Sequence, residues 1–320
     1  MKVYRGSKSF PASAKRPIVA LGNFDGVHLA HQKMFRLAVA LAKKLKGIAL
    51  AYTFDPHPVK VLSRASAPAM INTLPQKLEL LKKTGLQAVV IEKFQVQFAH
   101  LSPEAWFHKV ILKKLHAAGV VVGYDFTFGA HRSGTVETME KLCTDAGLAC
   151  EVLEAQLLGE TLISSSRIRD FVGKGEVDTA AKLLGRPFFI DGKVIQGAGR
   201  GASLGIRTAN LKTDNELTPM GGVYACQAEL GKRRYPAVTN IGLNPTFGGR
   251  TLSIETHLLG FHRNIYGKDL RLHFIQRIRD ERSFDAVEAL VTQIHKDIDR
   301  AKKILEKQSR RSHRSQSKTL

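Results

Sequence analysis

Cysteines, long apolar runs and secretion signals are scarce or missing, and each shortage excludes a class of protein. The 320 residues include three cysteines, Cys143, Cys150 and Cys226, whose spacing fits neither a disulfide framework nor a metal site. No apolar run reaches the roughly 18 residues of a membrane-spanning helix. The N-terminus lacks the charged-then-apolar layout of a secretory signal. We therefore expect a cytoplasmic protein that makes no membrane contact.

Acidic residues are also few relative to basic ones. Lys and Arg total 49 against 28 Asp and Glu, which gives a formal net charge of +21. Such a balance favours polyanionic partners, among them nucleic acid and phosphorylated ligands. Aromatic residues, however, make up only 7% of the chain, and they lie in apparent core runs instead of forming a platform for stacking bases. We expect no specific nucleic-acid site, and a basic nucleic-acid-binding protein is the less favoured hypothesis.

Alternating hydrophobic patterns predict an α/β domain in the first half of the chain. Helical patterns separate the apolar runs, and short glycine connections join them, which is typical of a doubly wound, Rossmann-like sheet. Ligands in such sheets bind beyond the carboxyl ends of the strands. The predicted strands are 17–21, 48–54, 88–94, 120–126 and 149–155. The predicted helices include 74–83, 103–116 and 136–146.

The pattern changes after Leu184 and predicts a second domain. Gly185-Arg186-Pro187 ends a helix at 177–184, and closely spaced β-type runs follow, which favours an antiparallel β-barrel. A long amphipathic helix closes it. The expected domains are 1–184 and 185–306, followed by a tail, 307–320, that is too polar to bury and is predicted to be disordered. The predicted barrel strands are 188–195, 223–230, 235–241, 252–258 and 270–278.

The stretch from Gly22 to Gln32 has the features of a phosphate-binding turn. Gly22 and Gly26 allow backbone angles and close approaches that a Cβ forbids. The following helix start offers free N–H groups and a dipole that favour a phosphate. His28 and His31 are three residues apart and can face the same spot. The residues alone fit either a nucleotide site or a turn with two surface histidines.

This stretch resembles the His-x-Gly-His signature of nucleotidyltransferases. Gly-Asn-Phe-Asp-Gly-Val-His is similar to the first motif of the bacterial bifunctional riboflavin kinase/FAD synthetase family, although Ala30 replaces the family's usual glycine. Stretches 53–58, 123–129 and 163–169 match further motifs in family order. The resemblance implies that His28, His31 and Arg167 stabilise charge on a triphosphate. It also implies ATP or phosphate contacts from Gly22, Phe24, Asp25, Gly26, Asp125, Ser165 and Ser166, and flavin contacts from Asp55 and His57.

The second domain matches the kinase module of the same family. A glycine cluster at 197–201 is a weak signal alone, but Thr208-Ala209-Asn210 resembles the family's Pro-Thr-Ala-Asn motif, with Arg207 in place of proline. Glu255 lies in an apolar strand, where an acid is either a paired structural residue or a general base. The resemblance favours the base. It further implies phosphate contacts from Gly199, Arg200 and Gly201, phosphate and Mg²⁺ contacts from Thr208 and Asn210, and flavin contacts from Arg279 and Glu281.

The resemblance implies two consecutive reactions. The barrel domain would phosphorylate riboflavin to FMN with ATP, and the α/β domain would adenylylate FMN to FAD and release pyrophosphate. The expected partners are riboflavin, FMN and ATP, with Mg²⁺ as cofactor, and the expected state is a monomer or weak homo-oligomer. A riboflavin kinase with a degenerate adenylyltransferase domain is the alternative.

Overall fold

The computed structural model describes residues 1–197, 206–246 and 249–316. The chain divides into two compact units, Met1–Ser165 and Ser166–Leu320. Residues 199–201 of the glycine cluster lie outside the described residues, so the predicted contacts of Gly199, Arg200 and Gly201 stay predictions.

The first unit is built on a fully parallel sheet of six strands in the order β1-β4-β3-β2-β5-β6. This confirms the predicted Rossmann-like α/β fold. All five residues of β2 are buried, as the continuous apolar run predicts for an inner parallel strand. The edge strand β1 was not predicted. The strands are β1 (Lys2–Arg5), β2 (Pro17–Leu21), β3 (Ile48–Phe54), β4 (Ala88–Glu92), β5 (Gly119–Gly123) and β6 (Ala149–Leu153).

Helices connect these strands, and apolar side chains of the helices are buried. Thr73 caps α3 in a reciprocal capping box with Gln76, and Pro75 lies in the first turn of the helix. The predicted helix at 103–116 is shorter in the structure and changes to π-helical winding after Trp106. The elements are α1 (Leu29–Lys44), α2 (Pro58–Leu62), α3 (Leu74–Lys82), α4 (Val96–Ala99), α5 (Pro103–Trp106) with its π-helical continuation Phe107–Leu112, α6 (Val136–Asp145), and the hairpin β7 (Leu157–Leu158) and β8 (Thr161–Leu162).

The strand order determines where a ligand can bind to this sheet. Strands β2 and β5 are neighbours, and the chain winds outward in opposite directions from them. The connections that leave their carboxyl ends therefore diverge and open a crevice, the usual binding place in doubly wound sheets. The turn at 22–28 follows β2, and the segment beginning at Tyr124 follows β5.

The second unit contains a closed six-stranded barrel in the order β10-β13-β12-β11-β14-β9. Its pairings are antiparallel throughout, which confirms the predicted barrel. Strand β10 was not predicted, because Ala-Asn-Leu-Lys-Thr is short and largely polar. The elements are α7 (Ser165–Gly173), α8 (Val177–Leu184), β9 (Phe188–Ile195), β10 (Ala209–Thr213), β11 (Gly222–Leu230), β12 (Arg233–Thr246), β13 (Gly249–Leu258) and β14 (Asp269–Arg279).

A long helix, α9 (Val287–Gln316), closes the barrel. Its Ala301 and Leu305 are buried against apolar side chains of the barrel, among them Val223 and Val238. The structure differs from the predicted disordered tail, since α9 continues through Gln316 and includes 307–316. Extending a formed helix costs little, because each added residue contributes a backbone hydrogen bond and Lys, Arg and Gln are favourable helix formers.

Helix α8 packs against the barrel, and the predicted domain boundary after Leu184 stays a prediction. Helix α8 contacts strands β14 and β9, and it belongs to the second unit. Its Val177, Ala180, Leu183 and Leu184 are fully buried or nearly so. A fragment that begins near Ser166 therefore keeps the apolar face of α8 packed against the barrel. A fragment that begins at Gly185 lacks α8 and exposes the barrel side chains that this helix covers.

We expect the fragment 166–320 to be more stable than the fragment 185–320. Losing the burial of Val177, Leu183 and Leu184 should lower the free energy of unfolding by at least about 4 kcal/mol, at about 1.5–3 kcal/mol per side chain. Urea denaturation of both fragments measures the difference. Equal stability of the two fragments would show that α7 and α8 are not part of the barrel's core.

Candidate active sites

The turn after β2 is held in an unusual backbone conformation. Phe24 and Val27 have positive φ angles of 51° and 44°, which non-glycine residues rarely adopt, and Gly26 has a φ of 84°. The Phe24 ring is buried and packs edge-on against Phe35 at 4.7 Å. A Cβ at Gly22 would lie 2.9 Å from that ring. The buried ring therefore explains the glycine at position 22, and it fixes the shape of the turn.

The turn brings the two predicted histidines together at the start of α1. His28 is the N-cap, and its Nδ1 accepts a hydrogen bond from the backbone N–H of His31 at 3.4 Å. The two rings stack with centroids 3.5 Å apart and planes 18° apart. His28 is 4% exposed. Two imidazoles thus stand at a helix N-terminus on the crevice edge of the sheet, where the dipole favours an anion.

Asp25 ties the turn to neighbouring segments. Its buried carboxylate accepts hydrogen bonds from the backbone N–H of Ile71 at 3.1 Å and of Asn72 at 3.3 Å. Its backbone carbonyl accepts a bond from the Ser165 hydroxyl at 2.8 Å. Asp25 and Ser165, both predicted to contact ATP or phosphate, therefore support the turn. Direct contact with a nucleotide stays a prediction for both.

The other predicted residues of this domain lie after neighbouring strands. Asp55 follows β3 and is exposed, and His57 caps α2 by accepting a hydrogen bond from the Val59 N–H at 3.3 Å. Asp125 follows β5 and is exposed. Because β3 and β5 flank β2, these residues share its edge of the sheet. Ser166 and Arg167 are exposed in the first turn of α7 and belong to the second compact unit.

Sequence reasoning missed a buried lysine beneath the turn. Lys77 is 7% exposed, and its Nζ donates to the backbone carbonyl of Asn23 at 2.9 Å. The Thr53 hydroxyl donates to the same carbonyl at 3.0 Å. Burial lowers the pKa of Lys77, while the carboxylates of Asp25 and Asp55 act in the opposite direction. The helical pattern of α3 does not distinguish this lysine from an exposed one.

In the barrel, strand register gathers three polar residues on one face. Asn210 of β10 lies opposite Glu255 of β13, which in turn lies opposite Asn240 of β12. Directly paired residues point to the same side of a sheet. Glu255 is half-buried and alternates with the buried Ile254 and Thr256, so it faces away from the barrel interior. Asn240 was not predicted as a site residue, because its position opposite Glu255 depends on the barrel register.

Two glycines make room for polar side chains around this row. A Cβ at Gly197 would collide with the side-chain amide of Asn210, and a Cβ at Gly242 would collide with the carboxylate of Glu281. That same Cβ would lie 3.5 Å from the Asn240 amide nitrogen. Glu281, predicted to bind flavin, is therefore brought beside Asn240.

Arg279, also predicted to bind flavin, has strong partners within the protein. Its guanidinium donates to both carboxylate oxygens of Asp297, at 2.8–3.1 Å, and to the backbone carbonyl of Asp280 at 2.9 Å. Asp297 is 4% exposed. This bidentate ion pair attaches α9 to the end of β14. A flavin contact by Arg279 stays a prediction.

Arg207, directly before Thr208, has hydrogen-bond partners for both its backbone carbonyl and its side chain. Nδ1 of His257 lies 2.8 Å from the carbonyl oxygen of Arg207, whose guanidinium donates to the His262 carbonyl at 3.4 Å. These contacts restrain the backbone at Arg207, the position at which the family's Pro-Thr-Ala-Asn motif has proline. The hydroxyl of Thr208 and the amide oxygen of Asn210 are oxygen ligands of the kind that Mg²⁺ accepts beside phosphates and waters. Within residues 1–197, 206–246 and 249–316 there is no cluster of three or more His, Cys, Asp or Glu suited to a metal.

Comparisons with known proteins match both units. The FAD synthetase family model matches residues 10–167, and the riboflavin kinase model matches residues 184–305. A bifunctional riboflavin kinase/FMN adenylyltransferase of Bacillus subtilis is 39% identical over 288 residues, which cover 88% of this chain and 90% of the relative. The chain belongs to the bifunctional riboflavin kinase/FMN adenylyltransferase family. The relative of the same name in Escherichia coli K12 is 30% identical over 299 residues, 93% of this chain and 96% of its own.

A solved structure also matches most of the chain. The crystal structure of a protein described as a macrolide-efflux protein from Streptococcus pneumoniae matches this riboflavin kinase/FMN adenylyltransferase family member with a TM-score of 0.86 and 30% identity. The match covers 94% of this chain and 99% of the other. Among the described residues, none of the helices combines the length and apolar character needed to cross a membrane. Both family domains are present in one chain, which favours the bifunctional hypothesis over a kinase alone.

Proposed function

We propose that this chain phosphorylates riboflavin to FMN with ATP and then adenylylates FMN to FAD. The observation that carries the proposal is the presence of two separate polar sites, each in the unit that matches the corresponding family. One is the stacked histidine pair at the start of α1. The other is the cross-strand row formed by Asn210, Glu255 and Asn240.

In the kinase reaction, Glu255 accepts the proton of the terminal ribityl hydroxyl as that oxygen attacks the γ-phosphate of ATP, and ADP leaves as the bond between the γ-phosphorus and the β,γ-bridging oxygen breaks. The carboxylate suits this task because it is half-buried and faces away from the barrel interior, and its Oε1 accepts a hydrogen bond from the Ser253 hydroxyl at 3.2 Å. Thr208 and Asn210 offer oxygen ligands to Mg²⁺, which when bound neutralises phosphate charge. Asn240 and Glu281 orient the flavin side of the site. Phosphoryl transfer depends mainly on such positioning and charge neutralisation.

In the adenylyltransferase reaction, the phosphate of FMN attacks the α-phosphate of ATP, and pyrophosphate leaves. The attacking phosphate is already anionic, so no general base is required. His28 and His31, at the N-terminus of α1, stabilise the negative charge that develops on the departing phosphates. The planar donor fork of Arg167 suits a phosphate, and its role on the triphosphate stays a prediction from the resemblance. Asp55, His57 and Asp125 lie along the same strand edge and orient the flavin and nucleotide.

The kinase-only alternative depends on Ala30, which stands where the family's histidine motif usually has glycine. It is the second residue of α1, where the backbone is helical and alanine causes no backbone strain. We expect the unmodified chain to make FAD, and Ala30→Gly to keep or raise the rate from FMN and ATP, at a cost of at most about 1 kcal/mol in helix stability. Chromatography of both proteins' products measures this. FAD from neither protein would support the kinase-only alternative.

The whole proposal is tested by incubating the protein with riboflavin, ATP and Mg²⁺. FMN should form first and FAD should follow, and removing Mg²⁺ with a chelator should stop FMN formation. FMN that never becomes FAD would overturn the second activity, and the absence of both products would overturn the proposal. We further propose a cytoplasmic monomer or weak homo-oligomer without a specific nucleic-acid partner. The free cysteines, Cys143, Cys150 and Cys226, are consistent with a reducing compartment.

A further inference from the structure

The turn at 22–28 depends on a backbone carbonyl that two side chains hold from below. The Asn23 oxygen accepts from Lys77 Nζ at 2.9 Å and from the Thr53 hydroxyl at 3.0 Å. Lys77 comes from α3 and Thr53 from β3. Two separate elements of the first unit thus converge on one oxygen. An amine and a hydroxyl at these distances fix the direction of that carbonyl.

The direction of this carbonyl determines the direction of the next N–H. In a planar trans peptide the C=O and the following N–H point in opposite directions. Fixing the Asn23 carbonyl toward Lys77 therefore points the Phe24 N–H away from Lys77. Phe24 also has a positive φ of 51°, a conformation that surrounding contacts must stabilise. The pair of hydrogen bonds holds the turn in the shape from which His28 enters α1.

The charge of Lys77 matters because the group is buried. An ammonium removed from water is costly unless it is compensated. Its Nζ donates a hydrogen bond to the Asn23 carbonyl, and the carboxylates of Asp25, in the turn, and Asp55, after β3, act on it electrostatically. A charge-assisted hydrogen bond is roughly twice as strong as a neutral one. The protonated lysine therefore holds the turn more firmly than the neutral amine does.

We propose that Lys77 is a positioning residue for adenylyl transfer, whose ammonium holds the Asn23 carbonyl and so keeps the phosphate-binding turn in its active shape. The proposal rests on the adenylyltransferase function proposed above. Lys77 acts through the turn and not through contact with the reacting atoms. Because burial lowers the pKa of Lys77, this ammonium loses its proton at a lower pH than an exposed lysine does. FAD formation should therefore fall as the pH rises through that lowered pKa.

The test compares Lys77→Met with Lys82→Met. Lys82 is an exposed lysine of the same helix. FAD formation from FMN, ATP and Mg²⁺ is measured from neutral to alkaline pH. Lys77→Met should be slower by about 10- to 100-fold at neutral pH, since a shift of about 1 Å in reacting groups costs on the order of 10²-fold. Its alkaline decline should also disappear. Lys82→Met should keep the wild-type rate and the wild-type pH profile.

Folding is followed by the fluorescence of Trp106, the chain's single tryptophan, which is buried in the core of the first unit. If Lys77→Met loses that signal, Thr53→Val replaces it as the test, because it removes the other bond to the same carbonyl. That variant should slow FAD formation while keeping the alkaline decline. Wild-type rates in the folded variants, or an alkaline decline that persists in Lys77→Met, would overturn the inference. Failure of the unmodified chain to make FAD would instead overturn the proposed function.

Discussion

FMN formation from riboflavin should fall by about 10²- to 10⁴-fold in Glu255→Gln, the typical effect of losing a general base. Glutamine has the same shape and retains an oxygen that can accept the Ser253 hydroxyl, so strand β13 and its register should be preserved. The amide cannot take the proton of the ribityl hydroxyl at neutral pH. FAD formation from supplied FMN should continue at the wild-type rate, because that site lies in the other unit.

The matched control is Glu288→Gln, which makes the same change at an exposed position of α9. It should leave both reactions unaffected. Thermal unfolding of both variants checks that the barrel is intact. If Glu255→Gln turns over riboflavin at nearly the wild-type rate, Glu255 is a structural residue of the strand and the assignment of the base is wrong.

FAD formation from FMN should fall by about 10²- to 10³-fold in His28→Asn, the usual cost of removing one donor that stabilises developing charge. Asparagine is among the best N-cap residues. Its side-chain oxygen can replace Nδ1 as the acceptor of the His31 N–H, so α1 should still begin at Leu29. What disappears is the imidazole stacked on His31. The variant therefore separates the chemistry of the histidine from its capping role.

His100→Asn is the corresponding control, because His100 is exposed and follows the short helix α4. We expect wild-type FAD formation from this control and wild-type FMN formation from both variants. An unimpaired rate of FAD formation in His28→Asn would limit His28 to capping and would remove it from the proposed mechanism.

The sequence predicts well those parts of the site whose signals are local. The apolar run of β2, the glycines of the turn and the helical spacing after His28 stand within one short stretch, so strand, turn and helix follow from neighbouring residues. The helical course of 307–316 was missed because high charge was interpreted as disorder. Strand β10 was missed because its alternation is short and mostly polar.

Features that depend on tertiary contacts could not be predicted. Lys77 is separated from Asn23 by 54 positions, and the pattern of α3 does not show that this lysine is buried. Asn240 joins Glu255 only through the barrel register. Arg279, at the end of β14, forms an ion pair with Asp297 of α9. The spacing of these two residues in the sequence does not indicate that they are in contact. The sequence pattern of helix α8 does not show which core covers its apolar face, because only its contacts with β14 and β9 show that.

Mixing Glu255→Gln with His28→Asn is the most direct test of the central claim that one chain carries two independent sites. Each variant alone, given riboflavin, ATP and Mg²⁺, should make little FAD, the first for lack of FMN and the second for lack of adenylyl transfer. The mixture should make FAD at a substantial rate, because FMN released by His28→Asn is consumed by Glu255→Gln. A mixture that makes no more FAD than either variant alone would contradict the account.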